Sequence, residues 1–171
     1  MKNNRAKFKS YFNDLGKKTA SPGGGSAVCV IFSLGVALIE MAMQYSLKKK
    51  RNDIDRLKEL RAKVYPLIDL DGEIFSKIMK AKSPDRAALI GEGEKLIIDL
   101  GKSAHKAFKI SAPRHGEIKR CIISDFDVGL DCLKITLKGC IANLEGNAVM
   151  FGKKSKYIET FKNILKQWRK Y

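Results

Sequence analysis

ASPGGGSAVCVIFSLGVALIEMAMQYSLKKK, Ala20 to Lys50, is the stretch on which the fold turns. A loop of Ser, Pro and three glycines passes straight into a run of small and apolar residues. Counted from Ser26, that run reaches its first charge, Glu40, after about fourteen residues, short of the roughly 18 to 20 that a membrane-spanning helix needs. The reading is a helix from Ser26 to about Lys48, buried on all sides in a soluble protein. Such a helix lies at the centre of a bundle or in a subunit interface.

Outward from it, the chain spells helix after helix. Residues 4–15 place Phe8, Tyr11, Phe12 and Leu15 on one face and end at Gly16. The charged corner from Lys48 to Asp55 opens a third helix reaching about Ala81, with Pro66 as a kink or restart and Ser83-Pro84 as its stop. A fourth runs from Asp85 to Phe108, weakened by Gly91, Gly93 and Gly101. Residues 111–116 read as loop, and 117–123 are ambiguous between helix and strand. Ser124 reads as an N-cap with Asp125 and Asp127 in the first turn of a fifth helix. Its apolar positions Phe126, Leu130, Leu133, Leu137, Ile141 and Leu144 carry it to about Phe151. A basic sixth helix, Lys154 to Arg169, packs through Tyr157, Ile158, Phe161, Ile164, Leu165 and Trp168. The expected fold is therefore all-α, a bundle of about six helices in a single domain spanning residues 1–171, a length that supplies one sizeable core. An apolar fraction of 44% against 30% charged excludes disorder, collagen-like repeats and a membrane bundle.

The net charge is +16, and it is localised. Residues 1–18 hold six basic side chains against Asp14, residues 48–63 eight against three acids, and residues 153–171 seven against Glu159. The rest is balanced. Basic ends and one basic corner attract a polyanion, or serve only as a solubilising surface. Cys29, Cys121, Cys132 and Cys140 form no C-x-x-C pair and no metal grouping with His105 and His115, so buried free thiols and no metal site are expected. The N-terminus alternates Lys with Phe and Tyr and has no apolar h-region, so the expected location is cytoplasmic.

Three features carry chemistry. Pro22-Gly23-Gly24-Gly25-Ser26 lets backbone approach a ligand, and the N–H groups of the following helix start offer it a positive dipole. No strand precedes the loop, and the P-loop Lys-Ser/Thr is missing, so close helix packing is the competing reading. Second, Leu57, Leu60, Val64, Leu67, Ile74 and Ile78 follow the spacing of a packed seam, and the position between Leu67 and Ile74 is Asp71. A carboxylate in an apolar stripe is paired, hydrogen-bonded or aimed into a pocket, where a shifted pKa suits it to acid-base work. Third, Asn143 and Asn147 lie four apart on one helix face and present two amides to a ligand or to a neighbouring backbone. Ser124 with Asp125 reads first as helix capping.

Taken together, these blocks resemble the cyclodeaminase/cyclohydrolase family, which comprises the C-terminal domain of formimidoyltransferase-cyclodeaminase and stand-alone methenyltetrahydrofolate cyclohydrolases. The family's PGGGS loop and Lys cluster match Pro22 to Ser26 and Lys48, Lys49 and Lys50. Its leucine-rich Asp-Glu-Asp helix with a following aromatic matches Leu67, Asp69, Asp71 and Phe75. Its Ser-Asp-x-x-Val helix with a Gly and two Asn matches Ser124, Asp125, Val128, Gly139, Asn143 and Asn147. Leu70 stands where the family has an acid, Gly72 where it has a helix former. The chain is shorter than the family between Lys82 and Leu96, and the loop before Ser124 lacks the family's Gly-Asn.

The resemblance implies an all-helical homodimer with sites near the subunit interface and a tetrahydrofolate derivative as substrate. The implied reaction is hydrolysis of 5,10-methenyltetrahydrofolate to formyltetrahydrofolate, or cyclisation of formimidoyltetrahydrofolate with loss of ammonia. Asp71 is then the acid/base, with Asp69 and Asp125 as orienting or second carboxylates. The glycine loop would cradle the pterin or one-carbon unit, with Ser124, Asn143 and Asn147 also at the substrate. Lys48 to Lys50 and the basic termini would hold a polyglutamate tail, with no membrane and no nucleic-acid partner. Two alternatives stand beside this: a folate-binding or degenerate helical dimer without catalysis, and a basic nucleic-acid-binding module.

Overall fold

The apolar stretch forms α2, a 23-residue helix over Gly24–Ser46, two residues longer at its start than the sequence suggested. This computed structural model describes residues 4–19, 21–47, 51–82, 85–152 and 154–168. Around α2 lie α1 (Asn4–Leu15), α3 (Arg51–Val64), α4 (Leu67–Lys80), α5 (Asp85–Ser111), α6 (Ile123–Phe151) and α7 (Tyr157–Gln167), with 3₁₀ turns at Ala112–Glu117 and Arg120–Ile122. Every regular element among the described residues is helical, as expected. Seven α-helices stand where six were read, because Pro66 ends one helix and restarts another rather than kinking a continuous one.

The length argument against a membrane span does not survive, since Glu40 lies inside α2, which is long and apolar enough by length and composition to cross a bilayer. Burial within the chain is what makes it a core helix: 61% of its most apolar window is covered. Glu40 is tolerated because Arg61 of α3 grips its carboxylate with two hydrogen bonds, Nε at 2.8 Å and Nη2 at 2.9 Å. Removing Arg61 would leave the Glu40 charge buried and unpaired, a loss of about 3–5 kcal/mol.

The antiparallel pair α2–α6 is the spine. Gly35 and Gly129 meet where the helices cross: a Cβ on Gly35 would lie 2.9 Å from the Gly129 carbonyl oxygen, and one on Gly129 would lie 2.9 Å from that of Gly35. Phe32, Val36, Ile39 and Met43 of α2 and Phe126, Leu133, Leu137 and Leu144 of α6 are buried along the pair. One contiguous hydrophobic cluster joins them to Leu57, Leu100, Phe108, Ile158, Phe161 and Trp168.

Some local expectations change. α6 starts at Ile123, one residue before Ser124, and no side-chain cap is made, so Ser124 is not the N-cap although Asp125 does sit in the first turn. Cys29, Cys132 and Cys140 are buried, but Cys121 is exposed on the second 3₁₀ turn. On α1 the face is divided: Tyr11 turns inward, while Phe8 and Phe12 stack on each other and remain half exposed.

Gly35→Val should lower stability by about 1–3 kcal/mol through overpacking at the crossing. Gly91→Ala, in a helical position with nothing within 4 Å of the added methyl, should raise it by about 0.5–1 kcal/mol. Denaturant midpoints of the two variants, at unchanged slope, check both.

Candidate functional site

The register set at Gly35 and Gly129 carries the two helices on until the start of α2 faces the second half of α6. A Cβ on Gly139 would run into Val28, and one on Gly24 would come within 3.2 Å of Asn143 Oδ1. From the other side α4 closes in, so that a Cβ on Gly25 would collide with the Asp71 carboxyl and one on Gly72 with Ser21. The glycine loop is thus threaded between α4 and α6, as the close-packing reading of it expects. Its glycines permit close packing and also form a wall of the resulting cleft.

That cleft measures about 200 Å³ and is lined by Gly23, Gly24, Gly25, Asp71, Asn143 and Asn147, with Ile74, Phe75, Ile78, Ile90, Ile97 and Phe151 as apolar walls and Gly93 at the α5 side. Its polar groups are few and convergent, the pattern of a small-molecule site. Asp71 Oδ2 accepts a hydrogen bond of 3.1 Å from the Ser26 N–H. It therefore caps α2 from another helix, where Gly23 offers no side chain of its own. The Ser26 hydroxyl in turn meets the Tyr11 hydroxyl at 3.0 Å, which ties α1 to the loop. Gly24 and Gly25, at the first two positions of α2, have N–H groups with no acceptor inside the helix.

Burial raises the pKa of the Asp71 carboxyl above its ordinary value, and the Ser26 N–H pulls it back only in part. The nearby Cys29 thiol is pushed up to about 12 by burial and then by the Asp71 charge, so it stays protonated and is no nucleophile at neutral pH. Among the described residues no positively charged side chain lines the cleft.

Of the residues singled out in the sequence, the structure gathers Gly23, Gly24, Gly25, Ser26, Asp71, Asn143 and Asn147 at one place. It leaves others apart. Asp69 is exposed and, with Pro22, borders a separate hollow on the far side of α4, because two residues along a helix turn a side chain to another face. Ser124 and Asp125 lie at the opposite end of α6, about 27 Å along its axis from Asn143, so within one chain they do not reach the cleft. Lys48, Lys49 and Lys50 lie outside the described residues. The α5 wall, Ile90, Gly93 and Ile97, was not foreseen as part of the site; Gly93 inside a helical pattern was its one trace. Among the described residues no group of three or more His, Cys, Asp or Glu could hold a metal ion.

A profile of the formiminotransferase-cyclodeaminase family matches residues 7–167, and the chain belongs to that family. The structure is also similar to the crystal structure of formiminotetrahydrofolate cyclodeaminase from Thermotoga maritima, with a TM-score of 0.75 at 22% identity over 95% of this chain and 86% of the other. At that identity the likeness is one of fold. No curated protein matches the chain. Family membership supports a function of the folate cyclodeaminase/cyclohydrolase type.

The raised pKa has a consequence for stability. The folded state holds the Asp71 proton to higher pH than the unfolded chain, whose value is near 3.8. This contribution is therefore present below about pH 3.8 and is lost as pH rises through the folded value. Asp71→Asn has no such titration, and its amide oxygen can still accept from Ser26. The stability of Asp71→Asn relative to the unmutated protein should accordingly rise with pH above about 4, as followed by denaturation at a series of pH values.

Proposed function

We propose that the chain is an enzyme of folate one-carbon metabolism. It either hydrolyses 5,10-methenyltetrahydrofolate to formyltetrahydrofolate or cyclises formimidoyltetrahydrofolate with release of ammonia, and Asp71 is its general acid/base. The observation that carries this reading is the Asp71 carboxyl. It stands in a largely apolar cleft that no cation of the described residues lines, between the glycine loop at the start of α2 and the two amides of α6. Both reactions involve an electron-poor carbon bridging, or about to bridge, two nitrogens, and a lone carboxylate attracts such an amidinium cation.

In the hydrolytic direction, Asp71 takes a proton from water as its oxygen adds to the bridging carbon. The proton then goes to the departing nitrogen as that C–N bond breaks, and the remaining hydroxyl proton is released to solvent as the formyl C=O forms. In the cyclising direction, the proton comes from the attacking nitrogen and goes to the leaving amino group, which departs as ammonia. One carboxyl performs both services in turn, and its raised pKa suits the protonated half of the cycle. Phe75 and Phe151 offer flat apolar surface to a ring system, Asn143 and Asn147 give it polar edges, and the Gly24 and Gly25 N–H groups face developing negative charge.

The departures from the family's pattern bear on this. Gly72 accommodates the close approach of Ser21, a packing reason for its departure from the family's helix former. Leu70 is exposed, away from the cleft.

The test is the decay of methenyltetrahydrofolate absorbance with purified protein. Asp71→Asn should fold, melt no lower than the unmutated protein and turn over about 10² to 10⁴ times more slowly. Full activity in this variant with a large loss of stability would assign Asp71 to structure alone. Binding without turnover in the unmutated protein would leave the folate-binding dimer.

A homodimer belongs to the same proposal. Leu34, Met41 and Tyr45 of α2 and Val128 and Ile135 of α6 are apolar yet exposed on the two most central helices. A second copy of the chain is the partner that would cover them. Leu34→Asp with Met41→Asp should sediment as a monomer at concentrations where the unmutated chain sediments as a dimer.

A further inference from the structure

The charge of the C-terminal helix is not used by the cleft. Lys134 lies nine residues before Asn143 on α6 and so about 180° around the helix from it. There, Lys134 and Lys138 of α6 and Lys162 and Lys166 of α7 rim a groove of about 410 Å³, floored by Leu165 and Trp168. That volume falls within the range of small-molecule sites. Trp168 is buried, its ring stacked on Phe108 at 4.0 Å, so it backs the groove while Leu165 is the more open part of the floor.

The arrangement is electrostatically unfavourable for the chain alone. Two lysine pairs, each four residues apart on its helix, face one another, and like charges at that spacing repel. Only one lysine of each pair is compensated. Lys134 meets Asp131 at 3.1 Å, while Lys162 meets Glu145 at 2.8 Å and Glu159 at 3.7 Å. Among the described residues Lys138 and Lys166 make no ion pair, so two positive charges remain over an apolar floor. The same acids, Asp131, Glu145 and Glu159, flank the groove and would repel an extended polyanion laid along it. A compact ligand with two negative charges matches what is left.

We propose that the α6–α7 groove is a second binding site, for a small dianion carried on a planar apolar group: an aryl phosphate or an aryl dicarboxylate. Lys138 and Lys166 take the charges, and the ring lies over Leu165, beside the buried Trp168. This stands independently of folate chemistry in the cleft.

Trp168 is the single tryptophan of the chain and so reports directly on the groove. The purified protein is titrated with phenyl phosphate, with phthalate and with neutral benzyl alcohol, following tryptophan fluorescence and the melting temperature. We expect a saturable fluorescence change and a raised melting temperature with at least one dianion, weakening with added salt, and neither with the alcohol. The tighter of the two dianions identifies the head group as phosphate or carboxylate. In Lys138→Gln/Lys166→Gln the affinity should fall at least tenfold. Both residues are exposed and unpaired, so the variant's own melting should be unchanged; if it melts early, each single variant is read instead. Absence of saturation with both dianions, equal binding by the double variant or equal binding of benzyl alcohol overturns the proposal. Tighter binding of a short single-stranded oligonucleotide than of either dianion also overturns it, in favour of a nucleic-acid surface.

Discussion

Two helices that approach until their backbones nearly touch set the terms for everything else here. Gly35 of α2 and Gly129 of α6 each leave no room for a methyl group on the other. That contact fixes the register of an antiparallel pair, and the register then propagates. It brings Val28 against Gly139, Gly24 against Asn143, and at the far end the Ser46 hydroxyl to the Lys119 N–H at 3.1 Å. A cleft between the start of α2 and the end of α6 is a geometric result of that crossing. Because interiors are close-packed, a shift at the crossing would be felt at the Asn143 amide.

Asp71 joins the architecture to the chemistry. Its carboxyl satisfies a backbone N–H at the start of a helix that has no cap of its own, and so it holds α4 against the glycine loop. Two influences act on its charge: the helix dipole and the Ser26 N–H favour the anion, and the apolar walls favour the acid. Burial dominates, and the carboxyl is left with a raised pKa in a cleft that no cation of the described residues lines. A bound amidinium cation would supply the missing positive charge and lower that pKa, so ligand binding itself would alter the proton's hold.

The pattern of helices was legible because apolar spacing is a local property. The seam from Leu57 to Ile78 divides near the break at Pro66, Leu57 and Val64 joining the main core and Ile74 and Ile78 a smaller cluster, with Leu67 against both, yet the carboxylate within it singles out Asp71. Gly23 to Gly25, Asn143 and Asn147 were likewise visible as unusual residues on helices. The pairing of α2 with α6 was not legible, since Gly35 and Gly129 are unremarkable in sequence and acquire meaning only in contact. For the same reason the distances of Asp69 and Asp125 from Asp71 were not legible: Asp69 turns to another face of its helix, and within one chain Asp125 lies at the opposite end of α6 from the cleft. Glu40 was read as the edge of the apolar run, because its partner Arg61 is 21 residues away.

The central claim is that one carboxyl, anchored at the start of α2, is poised in protonation for the reaction. Carbon NMR of the Asp71 side-chain carboxyl, titrated in the unliganded protein and assigned with Asp71→Asn, measures this directly. The account predicts a midpoint clearly above the ordinary aspartate value of about 3.9, moving downward when the methenyl cation is bound. A midpoint at or below that value in the unliganded protein, unmoved by the cation, would contradict it.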